Sequence, residues 1–396
     1  MENKTGKPDL EETERNFFCG SFAAEYRTAF LATFLIGLAT HLKQIVGGFP
    51  SGDSLNDTGY VGGTALGRWF QPAVQRIVSV YDPPVVLGLW SLFFLSVTSC
   101  LLVYLLELKK KSCIVLGAGL LVTFPAVTAQ FAYLFVADTY QLALLLAVVS
   151  LCLTKHYRNG WLAGAFTLAF SLGIYQAYLA FAAVLCLLLL LLDLIEGRAW
   201  REWLGKTARF LAMGALGLAL YYGFLRIAMA VERVELSSYQ GISGMGIPTI
   251  GSLPRLSLEV YREFAAFAVK GELLFHSRFT LLSVAVLAAA AVWAAVLGWK
   301  KGKDRFVRLA SLAVVLLGLP LGTDILMLAS PKVWQHTLTR MHWVLFPLAA
   351  LALLSRQAGR QAGRQAGRQA GRQAGSFSWL CLAAAGGTGG SRFPGL

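Results

Sequence analysis

Runs of about twenty apolar residues, parted by short charged blocks, limit what this chain can fold into more than any other feature. Such a run crosses a hydrocarbon core of about 30 Å as a helix. Lipid offers no partner to an open backbone, so only helices or a closed barrel can occupy it. The runs do not alternate apolar with polar, which excludes barrel strands. Charged residues make up 14% of the chain, against roughly 25% in soluble domains. The fold expected is an all-α polytopic membrane protein of about ten transmembrane helices (range 9–11). The spans are 28–46, 85–106, 113–131, 137–154, 161–175, 177–195, 207–228, 279–298, 309–329 and 343–355.

Two stretches, 113–154 and 161–195, break only weakly. As one helix, 35 residues would run about 52 Å, too long for a single crossing, so each is divided in two. The positive-inside rule tests the division. With the N-terminus in the cytoplasm, about two-thirds of the 35 Lys and Arg fall inside, among them the clusters KKK, KHYR and KKGKDRFVR. The loops 47–84 and 229–278 and the turns near 132–138, 175–176 and 330–342 then gather on the outer face. An elaborate outer face on a compact basic inner one implies work done outside the cytoplasm.

Residues 1–27 read as a polar cytoplasmic segment, with a short amphipathic surface helix over 12–27 and no signal peptide. The membrane domain is 28–355. Residues 356–375 are five copies of RQAG, a solvated basic tail for which anionic-lipid binding is the sharper alternative. The segment 376–396 is unlike the rest in composition and reads as a frameshifted or truncated end. The six cysteines lack metal-type spacing and read as small buried hydrophobes.

The chemistry-bearing residues crowd the outer loops. Asp53 and Asp57 share one face if the segment between them is helical. Paired carboxylates hold a metal, or let one act as a base that the other orients. Tyr60 follows them in DSLNDTGY. In LGRWFQP, Arg68 offers a planar fork suited to phosphate. Trp69 stacks on a sugar or anchors at the interface, where Arg68 would snorkel to headgroups. Asp138 stands at the mouth of an apolar run, as a functional acid or as the N-cap of the helix it precedes. Tyr175 and Gln176 fall at the outer end of a span, as site residues or as a helix contact. Lys270, His276 and Arg278 in the second loop can neutralise a lipid phosphate or contact headgroups, and His336, Arg340 and His342 share their face.

There is no P-loop, no G-x-G-x-x-G after a strand, no HExxH and no Cys/His zinc spacing. No nucleotide-binding domain fits between the spans. The net charge of +14 belongs to inner-face topology rather than to nucleic acid.

Several motifs in order resemble the Gtr-type bacterial glucosyltransferases, membrane proteins that add glucose to O-antigen. They are DSLNDTGY, LGRWFQP, YDPPVVLGLWSLFFL, TFPAVTAQFAYLFVADTYQLALLLA and SLGIYQAYLAFA. The likeness is close over 28–190 and rests on hydropathy and length beyond. It departs at the RQAG repeats, where the family continues with a further membrane-proximal segment. The resemblance implies a GT-C-like architecture in the bacterial inner membrane, with a polyprenyl-phosphate-glucose donor, a lipopolysaccharide-type glycan acceptor and a periplasmic site built on acids of the first outer loop. Asp53 and Asp57 occupy that place. It also implies a polyprenyl-phosphate glucose synthase and a small flippase as companions.

On this reading an acceptor hydroxyl attacks the anomeric carbon with inversion, and Asp57 or Asp53 takes its proton. Arg68, with Lys270 or Arg278, stabilises the departing polyprenyl phosphate. The sequence requires no cofactor and leaves a divalent metal open. The competing reading is a transporter or flippase of lipid-linked sugars. Spans of plain Leu, Ala and Val argue against it, since transporters carry broken or polar mid-membrane segments. Another GT-C sugar transferase also fits.

Overall fold

The computed structural model describes residues 24–47, 63–78, 83–244, 246, 249–271, 277–299, 305–331 and 335–356, and no strand occurs among them. The helices are α1 (Ala24–Gly47), α2 (Gln71–Val78), α3 (Pro84–Leu106), α4 (Lys111–Val122), α5 (Pro125–Phe131), α6 (Leu134–His156) and α7 (Gly160–Ile174). They continue with α8 (Tyr178–Glu196), α9 (Trp200–Glu232), α10 (Leu253–Lys270), α11 (Ser277–Trp299), α12 (Arg305–Thr323) and α13 (Ile325–Ala329). A 3-10 stretch, Thr337–Val344, leads into α14 (345–356). Eight described helical segments are long and apolar enough to cross a membrane, α4 and α5 form a bent pair, and α7 is shorter. Each of the ten expected spans overlaps described helix, eight of them with helices that pass by length and composition.

Local chemistry sets the helix ends. Pro84 opens α3 where its missing N–H costs nothing. α3 closes on Glu107 and α8 on Gly197, both in the left-handed conformation with the backbone N–H turned back onto the last carbonyls. α6, α8 and the Thr337–Arg356 segment are the most buried spans, whereas α1, α9 and α11 bury the least. Gly164 and Gly217 let α6, α7 and α9 approach closely: a Cβ on Gly164 would lie 2.7 Å from the Ser150 carbonyl oxygen, and one on Gly217 2.9 Å from Leu168.

An ion-pair cluster fixes the direction of five elements. Glu107, just past α3, meets Lys155 at the end of α6 (3.1 Å) and Arg198 beyond α8 (3.2 Å). Asp193 on α8 meets Lys206 on α9 (2.6 Å), and Glu196 meets Arg356 at the end of α14 (2.5 Å). Arg356 also donates to the Leu106 carbonyl at 2.9 Å. Burial raises the Glu107 carboxyl, but Lys155, Arg356 and Arg198 outweigh it and hold it below the usual range. Since α6 and α8 both end at this cluster, α7 runs the other way, and 161–195 is two antiparallel passes. Of the basic residues that the positive-inside rule gathers, Lys155, Arg198 and Arg356 meet Glu107 at this end.

Three expectations change. The span 113–131 is broken: Pro125 cannot donate to the ladder, and α4 and α5 meet at 47°. His41 Nε2 lies 2.9 Å from the freed Val122 carbonyl, and its ring stacks on Phe131 at 4.2 Å. The span 309–329 is interrupted at Asp324. Finally, α6 begins at Leu134, so Asp138 sits inside the helix and is not its N-cap. Of the surface helix expected over 12–27, residues 12–23 lie outside the described residues, and 24–27 belong to α1. Of the repeats, only Arg356 is described.

Candidate functional site

The end of the bundle opposite the ion-pair cluster collects buried polar side chains from segments far apart in sequence. Its first group is built on LGRWFQP. A 3-10 turn, Thr64–Leu66, ends at Gly67, which takes a left-handed φ of 74°. The Arg68 N–H then returns to the Gly63 carbonyl at 3.0 Å. Four outside bonds seat this turn, one of them from the Ser237 N–H to the Ala65 carbonyl (2.8 Å). Phe70 N–H donates to the Gly173 carbonyl at the end of α7 (2.8 Å). Gln176 Nε2 donates to the Leu66 carbonyl (2.8 Å), and the Tyr221 hydroxyl on α9 to the Gly67 carbonyl (3.0 Å). Gly67 is demanded twice, by its φ and by space, since a Cβ there would lie 2.5 Å from Gln176 Nε2.

Arg68 points into the aromatic pair that this seat brings together. Its guanidinium lies 5.0 Å from the Tyr175 ring centre and 6.0 Å from that of Tyr140, and Nη1 donates to the Tyr140 hydroxyl at 3.3 Å. The two rings stack at 4.3 Å. Burial pushes the Tyr175 phenol up, so it remains a neutral hydroxyl. Among the described residues no carboxylate forms a salt bridge with Arg68, and its buried Nε has no hydrogen-bond partner. Trp69 turns the other way, into a nest of Phe70, Phe170 and Phe224 at 5.2–5.6 Å.

A second group lies on α10, α13 and the 3-10 stretch before α14. Arg340, buried, donates to Glu263 on α10 at 2.7 Å and lies 4.0 Å from the Phe267 ring centre. Asp324, just past the end of the α12 span, is 0% exposed, and neither carboxylate oxygen has a hydrogen-bond partner. Burial pushes its carboxyl up to about 7; nearby Arg340 lowers it and Glu263 raises it. A chain of buried amides joins the two groups. Gln141 donates to Gln130 at 2.6 Å, and Gln130 donates to the Tyr178 hydroxyl at 3.1 Å and to the Leu338 carbonyl at 3.3 Å. Tyr178 in turn meets the Tyr175 ring edge-on at 5.7 Å.

The residues singled out from sequence divide accordingly. Arg68, Tyr175 and Gln176 come together. Asp138 is buried in α6, two residues before Tyr140 on the same helix. Trp69 packs instead of facing solvent. Lys270 and Arg278 are exposed, at the end of α10 and in the first turn of α11, and make no described contact with the Arg68 group. Asp53, Asp57, Tyr60 and His276 lie outside the described residues. Among those described, no set of three His, Cys, Asp or Glu could hold a metal. Sequence reading passed over Asp324, although the signal that marked Asp138, one acid beside an apolar run, marks it too. Gln130 carried no comparable signal.

Residues 46–350 match the family model described as Glucosyl transferase GtrII. The match spans both polar groups. No curated protein and no solved structure matches the chain.

Proposed function

The chain belongs to the glucosyl transferase GtrII family, and we propose that it moves glucose from polyprenyl-phosphate glucose to a cell-surface glycan, at the end of the bundle opposite the ion-pair cluster. That end is the periplasmic face of the bacterial inner membrane, because the basic blocks belong inside. A GT-C-like arrangement is part of the same reading. The observation that carries it is Arg68: a guanidinium set against a stacked pair of tyrosine rings, with no carboxylate paired to it among the described residues. A charge withdrawn from water needs a partner, and a phosphate oxyanion is the partner a guanidinium fork suits best.

In this mechanism an acceptor hydroxyl attacks the anomeric carbon of glucose from the face opposite the phosphate. The new C–O bond forms as the sugar–phosphate bond breaks, and the configuration inverts. Asp57 or Asp53 takes the hydroxyl proton. The bonding electrons leave on the polyprenyl phosphate, whose added charge Arg68 offsets. One such preorganised donor contributes roughly 10²–10³ in rate elsewhere. Lys270 and Arg278, at the surface, are assigned to drawing in the anionic donor. The sequence requires no metal and leaves a divalent one open. A synthase that loads glucose on the lipid and a flippase that turns it over are the companions of this reaction.

A transporter reading draws support from the breaks at Phe124 and Asp324, since interrupted helices mark transporter sites and these two spans are not the plain runs their composition implies. Family membership favours transfer. The test is glucose transfer in membranes supplied with polyprenyl-phosphate glucose, at equal expression of wild type, Arg68→Gln and Asp57→Asn. We expect transfer by wild type and a loss of at least about 100-fold in each variant. Wild-type activity in Arg68→Gln would remove the phosphate role. Donor flipping without transfer would replace the enzyme by a transporter.

A further inference from the structure

A cleft of about 430 Å³ opens between α10 and α13, on the same end as Arg68 but on the second outer loop. Thr249, Ser252, Arg255 and Glu259 line one side, and Leu328 and Pro331 the other. Its wall is fixed: the Gly246 N–H donates to the Ala329 carbonyl at 3.1 Å, and Arg255 pairs with Glu259 at 3.0 Å. One helical turn from the cleft along each helix, Glu259 gives way to Glu263 and Leu328 to Asp324. Behind the lining lie the Arg340–Glu263 pair and a fully buried carboxyl whose two oxygens lack partners.

Unsatisfied buried polar atoms are rare in proteins and usually mark a ligand, an ion or water. A cation is a poor fit, because Arg340 stands beside the two acids and no metal cluster occurs among the described residues. An anion is also a poor fit, because each guanidinium is already paired, Arg255 with Glu259 in the lining and Arg340 with Glu263 behind it. What suits neighbouring carboxylate, guanidinium and hydroxyl groups is a neutral molecule rich in hydroxyls, each of which both donates and accepts. A sugar ring is that molecule, and the volume lies within the roughly 300–1,000 Å³ of small-ligand sites.

We propose that the α10–α13 cleft is the acceptor subsite, binding a hexose unit of the glycan through Ser252, Arg255 and Glu259. The proposal rests on the glycosyl-transfer reading for the word acceptor, but sugar binding is measurable without transfer. The donor is then held on the first outer loop and the acceptor on the second, with the Gln130–Tyr178 chain between them.

The experiment uses the full chain in detergent and a panel of methyl hexosides (gluco, galacto, manno and rhamno), read by saturation-transfer NMR. Wild type is expected to bind at least one of them. Arg255→Ala and Glu259→Gln, at a partly exposed wall where folding is not at stake, should each weaken that Kd about tenfold. Arg68→Gln should leave it within twofold. In the transfer assay the same cleft variants should raise the acceptor KM and leave the donor KM unchanged. Absence of binding by every hexoside, or binding within twofold of wild type in both wall variants, overturns the subsite. Binding that is lost in the wall variants while wild type transfers no glucose keeps the subsite and overturns the transfer reading.

Discussion

Gly173→Ala tests how the Arg68 turn is seated, without reference to any substrate. A Cβ at this position would lie 2.6 Å from Trp69 Cε2, 2.7 Å from Cζ2 and 2.9 Å from Nε1. Ordinary contacts begin near 3.4 Å, so the indole must retreat by most of an ångström. It has little room, with Phe70, Phe170 and Phe224 closing the nest. Overpacking of this kind costs about 1–3 kcal/mol. If the turn lifts to relieve it, the Phe70–Gly173 bond goes as well, a further loss of about 1 kcal/mol, and Arg68, two residues before Phe70, slides off the Tyr175 ring. The assay is thermal unfolding of the full chain in detergent for Gly173→Ala, Trp69→Leu and the double variant. Trp69→Leu alone leaves a cavity and should cost about as much as a buried aromatic truncation, near 3 kcal/mol. Leucine leaves space for the alanine methyl, so the double variant should be more stable than the sum of the singles by at least about 1 kcal/mol. Additivity within about 0.5 kcal/mol would refute the packing of Trp69 on Gly173 and, with it, the position assigned to Arg68.

Two further outcomes follow from buried polar groups. Asp324 has an ordinary pKa of 3.8 that rises to about 7 in the folded chain. Between those values only the folded state holds the proton, so stability is greatest below about pH 4 and falls as pH rises to 7, by roughly 4 kcal/mol in all; Asp324→Asn should flatten this part of the unfolding profile, and an unchanged slope would mean the carboxyl is not buried neutral. His41→Phe keeps a ring against Phe131 but abandons the Val122 carbonyl, at a cost of about 1–3 kcal/mol, and a loss below 0.5 kcal/mol in detergent unfolding would show the carbonyl finding another partner.

The spans were readable because apolar length is a strong, local signal that lipid enforces. Their expected direction rests on basic blocks, from which the Glu107–Lys155–Arg198 contacts bring Lys155 and Arg198 to one end. What sequence hides is the meaning of a polar residue inside an apolar run. Asp138 looked like a cap because the turn before it was invisible; four residues of helix precede it. Trp69 looked like a sugar platform because nothing in LGRWFQP says which neighbour faces Tyr175 and which faces Gly173. That choice belongs to the tertiary seat, made by Gln176, Tyr221 and Gly173 from three other elements. Asp324 went unread because its environment is supplied by Arg340 and Glu263, one far upstream and one downstream in the chain.

The breaks bear on what this bundle does. An interrupted helix that gates a path needs freed backbone groups that can exchange partners. At the α4–α5 bend the opposite holds: the Val122 carbonyl is met by His41, the imidazole is pinned on Phe131, and Gln130, just past the break, engages Gln141, Tyr178 and Leu338 at once. The bend therefore serves to aim Gln130 across the bundle, toward the 3-10 stretch that carries Arg340. A rigid bend that couples two polar groups suits a transferase, whose donor and acceptor must be held in line for displacement, better than it suits an element that rocks.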